Sequence, residues 1–250
     1  MSVQDISVAL PAATRLRLGE TALFLDLDGT LAPIAARPQD VGPDPRRTSL
    51  LERLAHRLDG RLAVVSGRTL ADIDRILEDC VTTVAAVHGL VRRGPDLRMF
   101  ETPPHPDLAQ AFAGFHAFAA RDSGLIVEEK AGLSVALHFR LAGGHAEAAR
   151  ACARAIAAAT GLTLQEGDMV EELRTPGETK GDSVRAFMAS EPFAGARPVF
   201  VGDDDTDEDG FAAAQTLGGV GIRVGAARPT LARFRLDGVE AALAWLEAAL

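Results

Sequence analysis

The chain has 250 residues, enough to bury a full core in one large domain or two small ones. Hydrophobic residues at 47% and charged residues at 24% make an ordinary globular balance, and no run of about 18 apolar residues could span a bilayer. The net charge of −9 argues against sequence-independent nucleic-acid binding, and it obliges any anion site to supply its own local cations.

Residues 1–19 read as a leading segment with one or two helical turns. They hold no basic region followed by an apolar run, so neither a signal peptide nor a membrane partner is expected. Ala22–Leu25 is a short apolar strand that ends in Asp26 and Asp28, and Gly29 and Thr30 then turn the chain. Pro33–Pro43 is loop. Asp44 suits a helix N-cap and Pro45 the first helical position; Leu50, Leu51, Leu54 and Leu58 follow at helical spacing until Gly60. Arg61–Val65 is a strand ending in Ser66-Gly67-Arg68, Thr69–Leu77 a helix, and Val84–Val87 a strand ending in His88-Gly89.

The middle of the chain changes character. Pro103, Pro104 and Pro106 precede a helix over Leu108–Ala120. Leu125–Lys130 and Leu133–Arg140 read as a hairpin turned at Ala131-Gly132. Gly143-Gly144 leads to an Ala-rich helix, His145–Thr160, and Leu162–Gln165 and Met169–Arg174 are extended. The first pattern then returns. Thr179 caps a helix over Gly181–Ala189, Pro198–Val201 is a strand ending in Gly202-Asp203-Asp204-Asp205, a helix covers Glu208–Gln215, Val220–Val224 is a strand, and Val239–Leu250 is an amphipathic helix. Alternating strands and helices imply a parallel sheet with helices on both faces, a Rossmann-like α/β core. The helix and antiparallel strands between them imply an inserted second domain over residues 103–176, with residues 1–102 and 177–250 forming the core. Cys80 and Cys152 lie far apart without metal-ligand spacing and read as buried or free thiols, which fits a reducing, cytoplasmic location.

In an open α/β sheet, ligands bind at the carboxyl ends of the strands. Four such ends carry Asp26 with Asp28, Ser66, Lys180, and Asp203 with Asp204. Carboxylates placed there are uncompensated unless they meet a metal ion, a phosphate or a proton-transfer task. Taken singly each has a plain reading: a turn cap, a helix start, a solvated lysine, an acidic loop. The run Asp203–Asp209 lacks the spacing of an EF-hand calcium loop.

Taken together, Asp-x-Asp-Gly-Thr, then Ser, then Lys, then Gly-Asp-Asp-x-x-Asp resembles the haloacid dehalogenase-like phosphatases. The resemblance implies that Asp26 is the nucleophile that forms an aspartyl-phosphate, and that Asp28 is the general acid and base. It implies Mg2+ held by Asp26, Asp28 (through its backbone carbonyl) and Asp203, with Asp204 and Asp207 orienting metal-bound water or holding Lys180. Ser66, Gly67 and Lys180 then hold the phosphate oxygens.

Side chains two apart on a strand share a face. In Leu133–Arg140, Leu133, Val135, Leu137 and Phe139 point to the insert's own core, and Ser134, Ala136, His138 and Arg140 point away. Glu128 with Lys130, and Glu172 with Arg174, make further polar pairs. A face carrying both signs suits a polyhydroxylated ligand, although an ordinary solvated sheet face looks the same.

The segments Val87-His88-Gly89-Leu90, Glu128-x-Lys130, Leu137-His138-Phe139-Arg140, Glu172-Leu173-Arg174, Thr179-Lys180-Gly181 and Gly202-Asp203-Asp204-x-Thr206-Asp207-Glu208 resemble those of the trehalose-6-phosphate phosphatases. That resemblance runs from about Leu23 to Phe211. It implies Mg2+-dependent hydrolysis of trehalose 6-phosphate to trehalose and phosphate, the last step of trehalose biosynthesis. It also implies a monomer with a small-molecule substrate. Glu128, Lys130, His138, Arg140 and Glu172 would hold the sugar, and Arg68 and His88 would line the core side of the site. Two positions depart from the family pattern: Ala131 lengthens the hairpin turn, and Phe139 stands where Tyr is common. Phosphatases of sucrose 6-phosphate, mannosyl phosphoglycerate or hexose phosphates, phosphomannomutase-like enzymes and a non-catalytic sugar-phosphate sensor remain alternatives on the sequence.

Overall fold

The computed structural model describes residues 8–9 and 16–250, so most of the leading segment expected over residues 1–19 lies outside the described residues. The chain divides into two compact units, Met1–Phe100 with Glu178–Leu250, and Glu101–Gly177.

The elements run β1 (Val8–Ala9), β2 (Thr21–Leu25), α1 (Pro45–Arg57), β3 (Leu62–Val65), α2 (Leu70–Leu77), β4 (Thr83–Ala86), β5 (Val91–Arg93), β6 (Met99–Glu101), α3 (Leu108–Ala119), β7 (Ile126–Lys130), β8 (Ser134–His138), α4 (Ala146–Thr160), β9 (Thr163–Gly167), β10 (Val170–Arg174), α5 (Lys180–Met188), β11 (Arg197–Gly202), α6 (Glu208–Thr216), β12 (Val220–Val224), β13 (Phe234–Leu236) and α7 (Val239–Glu247). The first unit is built on a nine-stranded sheet in the order β1-β13-β12-β11-β2-β3-β4-β5-β6. The pairs from β1 through β4 are parallel, and β5 returns antiparallel on β4.

The central strands are apolar throughout because both faces are covered. On one face Ala22, Phe24, Ala63, Val65, Ala85 and Phe200 pack with Val184 and Phe187 of α5 and Phe211 of α6. Phe24 stacks on Phe193 at 5.5 Å between ring centroids, and Phe200 meets Phe211 edge to face at 5.6 Å. Their neighbours in the strands, Leu23, Leu25 and Val64, are equally buried. Asp44 caps α1 by accepting from the amides of Arg46 and Arg47, with Pro45 at the first helical position, as the sequence leads one to expect.

The second unit is a four-stranded antiparallel sheet, β7-β8-β10-β9, packed on α3 and α4. Val135, Leu137, Phe139 and Leu173 face Phe115 and Ala149 across one core. Glu171 belongs to that same apolar face, because it pairs with Leu137 across the ladder. It is fully buried, and neither carboxylate oxygen has a hydrogen-bond partner.

Three local readings change. β8 ends at His138, not at Arg140. Phe139 leaves the extended region (ψ 19°), and Arg140 opens a 3-10 turn, so strand alternation no longer sets the direction of its side chain. β4 ends at Ala86. Val87 and His88 follow with φ of 47° and 57°, in a left-handed conformation that a β-branched residue rarely adopts. α7 ends at Glu247, short of Leu250. No helix among the described residues is long and apolar enough to cross a membrane. Cys80 and Cys152 are free and half-buried, and burial pushes the Cys80 thiol up to about 11.

Candidate active site

After β2 the chain builds β3 and β4 on one side of it, and β11, β12 and β13 later fill the other. The carboxyl ends of β2 and β11 therefore diverge at a topological switch point, where a crevice opens for a ligand. Asp26 follows β2 and Asp203 follows β11. Ser66 follows the neighbouring strand β3. Contrary to the expectation from the sequence, Lys180 does not end a strand: it is the first residue of α5, and Thr179 forms a reciprocal capping box with Asp182 that fixes where this helix begins.

These side chains meet. Lys180 Nζ donates to Asp26 Oδ1 at 2.8 Å and to Asp207 Oδ1 at 2.6 Å, with all three groups buried. Asp207 Oδ2 accepts from the amides of Asp203 and Asp204 at 2.9 and 3.0 Å, so one buried carboxylate both seats the ammonium and shapes the acidic loop. Carboxylate oxygens of Asp26, Asp203 and Asp207 lie within 4.8 Å of one another. Gly29 has φ +80°, and a Cβ there would stand 2.1 Å from Asp203 Oδ2, so only glycine lets the two loops approach this closely.

Three carboxylates around one ammonium leave the cluster short of positive charge. Burial lifts Asp26 well above the ordinary carboxylate range; Lys180 opposes this, and Asp207 and Asp203 add to it. Burial and the nearby Asp207 push Asp203 up to about 7. Burial also raises Asp204. Burial alone would lower Lys180, but Asp207 and Asp26 outweigh it and the ammonium stays charged. A hard divalent cation with oxygen ligands fits such a donor set, because it would supply the missing charge to carboxylates already gathered.

The expected residues are not all arranged alike. Asp28 lies outside the group of converging carboxylates. Its two oxygens accept from Arg68 Nε at 2.6 Å and Nη2 at 2.8 Å. Ser66 is buried, and its Oγ accepts from the Arg68 amide at 3.2 Å. A Cβ at Gly67 would stand 2.3 Å from His88 Nε2, so the glycine makes room for that imidazole. The strained pair Val87-His88 is pinned to the same loop, with Val87 N donating to Arg68 O and His88 N to Ser66 O, each at 2.9 Å.

In the second unit Glu172 Oε2 accepts from Lys130 Nζ at 2.6 Å and its Oε1 from Ser134 Oγ at 2.6 Å, all buried. His138 Nε2 and Glu128 Oε2 lie 2.8 Å apart. Burial would raise Glu128, but His138 and Lys130 overcome it and hold the carboxyl low. Arg140 turns to Asp168 instead, donating at 2.8 Å to both its carbonyl and its carboxylate.

Two residues went unread in the sequence. Arg223 Nη1 and Arg228 Nη2 both donate to the backbone carbonyl of Asp203, at 2.6 and 3.2 Å. The signal for the first was an arginine within the apolar strand Val220–Val224, at the same sheet edge as Asp203.

Acids and a lysine gathered at the switch point of a parallel Rossmann-like sheet make a site suited to metal-assisted chemistry on an anionic group. The chain matches the trehalose-phosphatase family model over residues 24–240, and it belongs to that family. It is 37% identical over 228 residues to the trehalose-6-phosphate phosphatase of Escherichia coli (strain K12), covering 90% of this chain and 85% of that protein. Among solved structures, a trehalose-6-phosphate phosphatase related protein superposes with a TM-score of 0.76 at 26% identity, covering 90% of this chain and 95% of that one. The C-terminal domain of the Candida albicans trehalose-6-phosphate phosphatase reaches 0.87 at 19% identity, covering 97% and 98%.

Proposed function

We propose that this phosphatase hydrolyses trehalose 6-phosphate to trehalose and phosphate with Mg2+. The buried group Asp26, Lys180, Asp207 and Asp203, in a chain of this family, is the observation that carries the reading. An Asp26 oxygen attacks phosphorus as the bond to the sugar oxygen breaks, and Asp28 gives that oxygen a proton. Water then attacks phosphorus, Asp28 takes its proton, and the Asp26–phosphorus bond breaks to release phosphate. Lys180, the Ser66 hydroxyl and the Gly67 backbone hold phosphoryl oxygens as their charge develops. Asp26, Asp203 and the Asp28 carbonyl would hold Mg2+, which supplies charge neutralisation to the phosphoryl group. Asp204 and Asp207 position these ligands and Lys180.

The polar residues Glu128, Lys130, His138, Arg140 and Glu172 of the insert bind the sugar. Carboxylates and cations already paired can each exchange a partner for a sugar hydroxyl, which both donates and accepts. The same reading makes the protein a cytoplasmic monomer acting on a small molecule. Phosphate release over a panel holding trehalose 6-phosphate, sucrose 6-phosphate and glucose 6-phosphate tests it. Trehalose 6-phosphate is expected to have the highest kcat/KM, and another substrate in first place would overturn the assignment. Asp26→Asn is expected to abolish turnover while leaving substrate binding intact.

A further inference from the structure

We propose that Arg68 is a positioning residue that aims the Asp28 carboxylate for proton transfer, and not a contact for the sugar. The inference rests on the reading of Asp28 as general acid and base. Asp28 sits in an isolated β-bridge with Ala32, just ahead of the turn at Gly29-Thr30, and about a third of its side chain is exposed, so its backbone alone does not aim the carboxylate. Arg68 does fix it, because a planar fork donating through Nε and Nη2 accepts one orientation of a carboxylate. Each oxygen takes one N–H and keeps a second lone pair with which to give or take a proton.

The fork is itself immobilised. Arg68 is 7% exposed, its Nη1 donates to the Pro38 carbonyl at 3.0 Å, its amide donates to Ser66 Oγ, and its carbonyl accepts from Val87 N. Three guanidinium nitrogens are thus engaged by Asp28 and Pro38. The group that orients the acid is anchored to the same short loop that carries Ser66, so proton donor and phosphate site share one frame. General acid catalysis is worth about 10²–10⁴-fold and depends on such aim.

The test exploits the leaving group. An alkoxide leaving group needs a proton and 4-nitrophenolate does not, and kcat/KM reports steps only through departure of the leaving group. Arg68→Met is expected to lower kcat/KM on the order of 10–100-fold for both trehalose 6-phosphate and glucose 6-phosphate, and by less than about threefold for 4-nitrophenyl phosphate. With the aryl substrate a pre-steady-state burst of nitrophenolate should appear, because the later attack of water still needs an aimed base. A loss confined to trehalose 6-phosphate would make Arg68 a sugar contact, and equal losses on all three would make it a phosphate contact; either overturns the proposal. In an Asp28→Asn background, Arg68→Met should cost nothing further, and an undiminished second loss also refutes it. Arg68→Lys keeps the charge without the fork and should show the same leaving-group pattern, which decides the matter if the methionine variant does not fold. Unimpaired alkyl-phosphate turnover in Asp28→Asn alone would instead overturn the reading of Asp28.

Discussion

Glu171 should destabilise the inserted unit at neutral pH, and replacing it should help. Its carboxylate is fully buried on the apolar face beside Leu137 and Leu173, with neither oxygen hydrogen-bonded. Arg150 Nε stands 3.4 Å from Oε1, but its own side chain is 42% exposed. An unsatisfied buried polar group costs about 1–3 kcal/mol, and a half-exposed ion pair returns about 0–1 kcal/mol. Glu171→Met keeps the volume and removes the charge, so a net gain of about 1–2 kcal/mol is expected at pH 8, seen as a Tm rise of roughly 2–4 °C per kcal/mol. The sign with pH follows from the raised folded-state carboxyl: burial, then Glu166, lift it above its ordinary 4.5. In the window above 4.5 the folded form holds the proton longer than the unfolded form, so stability falls as pH rises through it. The advantage of Glu171→Met should therefore shrink between pH 8 and pH 4.5. Hydrogen exchange of the β10 amides reads this unit locally and thermal melting reads the whole chain. A loss of more than about 1 kcal/mol in Glu171→Met at pH 8 would refute the reasoning, because it would mean that the carboxylate stabilises the fold.

Gly29→Ala forces a side chain into φ +80° and onto Asp203, a backbone strain of about 1–2 kcal/mol before any displacement, so calorimetric Mg2+ affinity should drop at least about tenfold; unaltered affinity would contradict the close approach. EDTA should remove activity and Mg2+ restore it. With Asp203 near 7 in the cation-free site, Mg2+ must compete with a proton, so binding should be weaker at pH 6 than at pH 8; equal affinities would show that Asp203 is not a ligand. Glu172→Ala leaves Lys130 and Ser134 without their shared acceptor, and kcat/KM for trehalose 6-phosphate should fall on the order of 10–100-fold with little change for 4-nitrophenyl phosphate; matching losses would separate this network from sugar binding.

The sheet was legible because its central strands are short apolar runs whose ends carry acids, and the helices because caps such as Asp44 and Thr179 stand at the right places. The short outer strands β5, β6 and β13 escaped, since Val91–Arg93, Met99–Glu101 and Phe234–Leu236 are too brief and too mixed to show a period. Val87 looked like a continuing strand because valine favours one; loop contacts to Ser66 and Arg68 override that preference. The acidic cluster could be anticipated from which strand ends adjoin. The turn of Asp28 toward Arg68 could not, since a long side chain has many places to reach and a contact such as that with the Pro38 carbonyl selects one.

Lys180 and Asp26 touch across 154 positions of chain, and the inserted unit, residues 101–177, makes up half of that span. Chain-closure entropy grows only with the logarithm of length, so deleting the whole insert would change the expense of bringing the two groups together by only about 0.6 kcal/mol. A phosphoryl-transfer core bracketed in this way can host inserts of very different size at nearly constant thermodynamic expense. If the insert binds the sugar, as proposed above, selectivity for the alcohol half of a phosphate ester can evolve by exchange of the insert while the acids and lysine stay where they are.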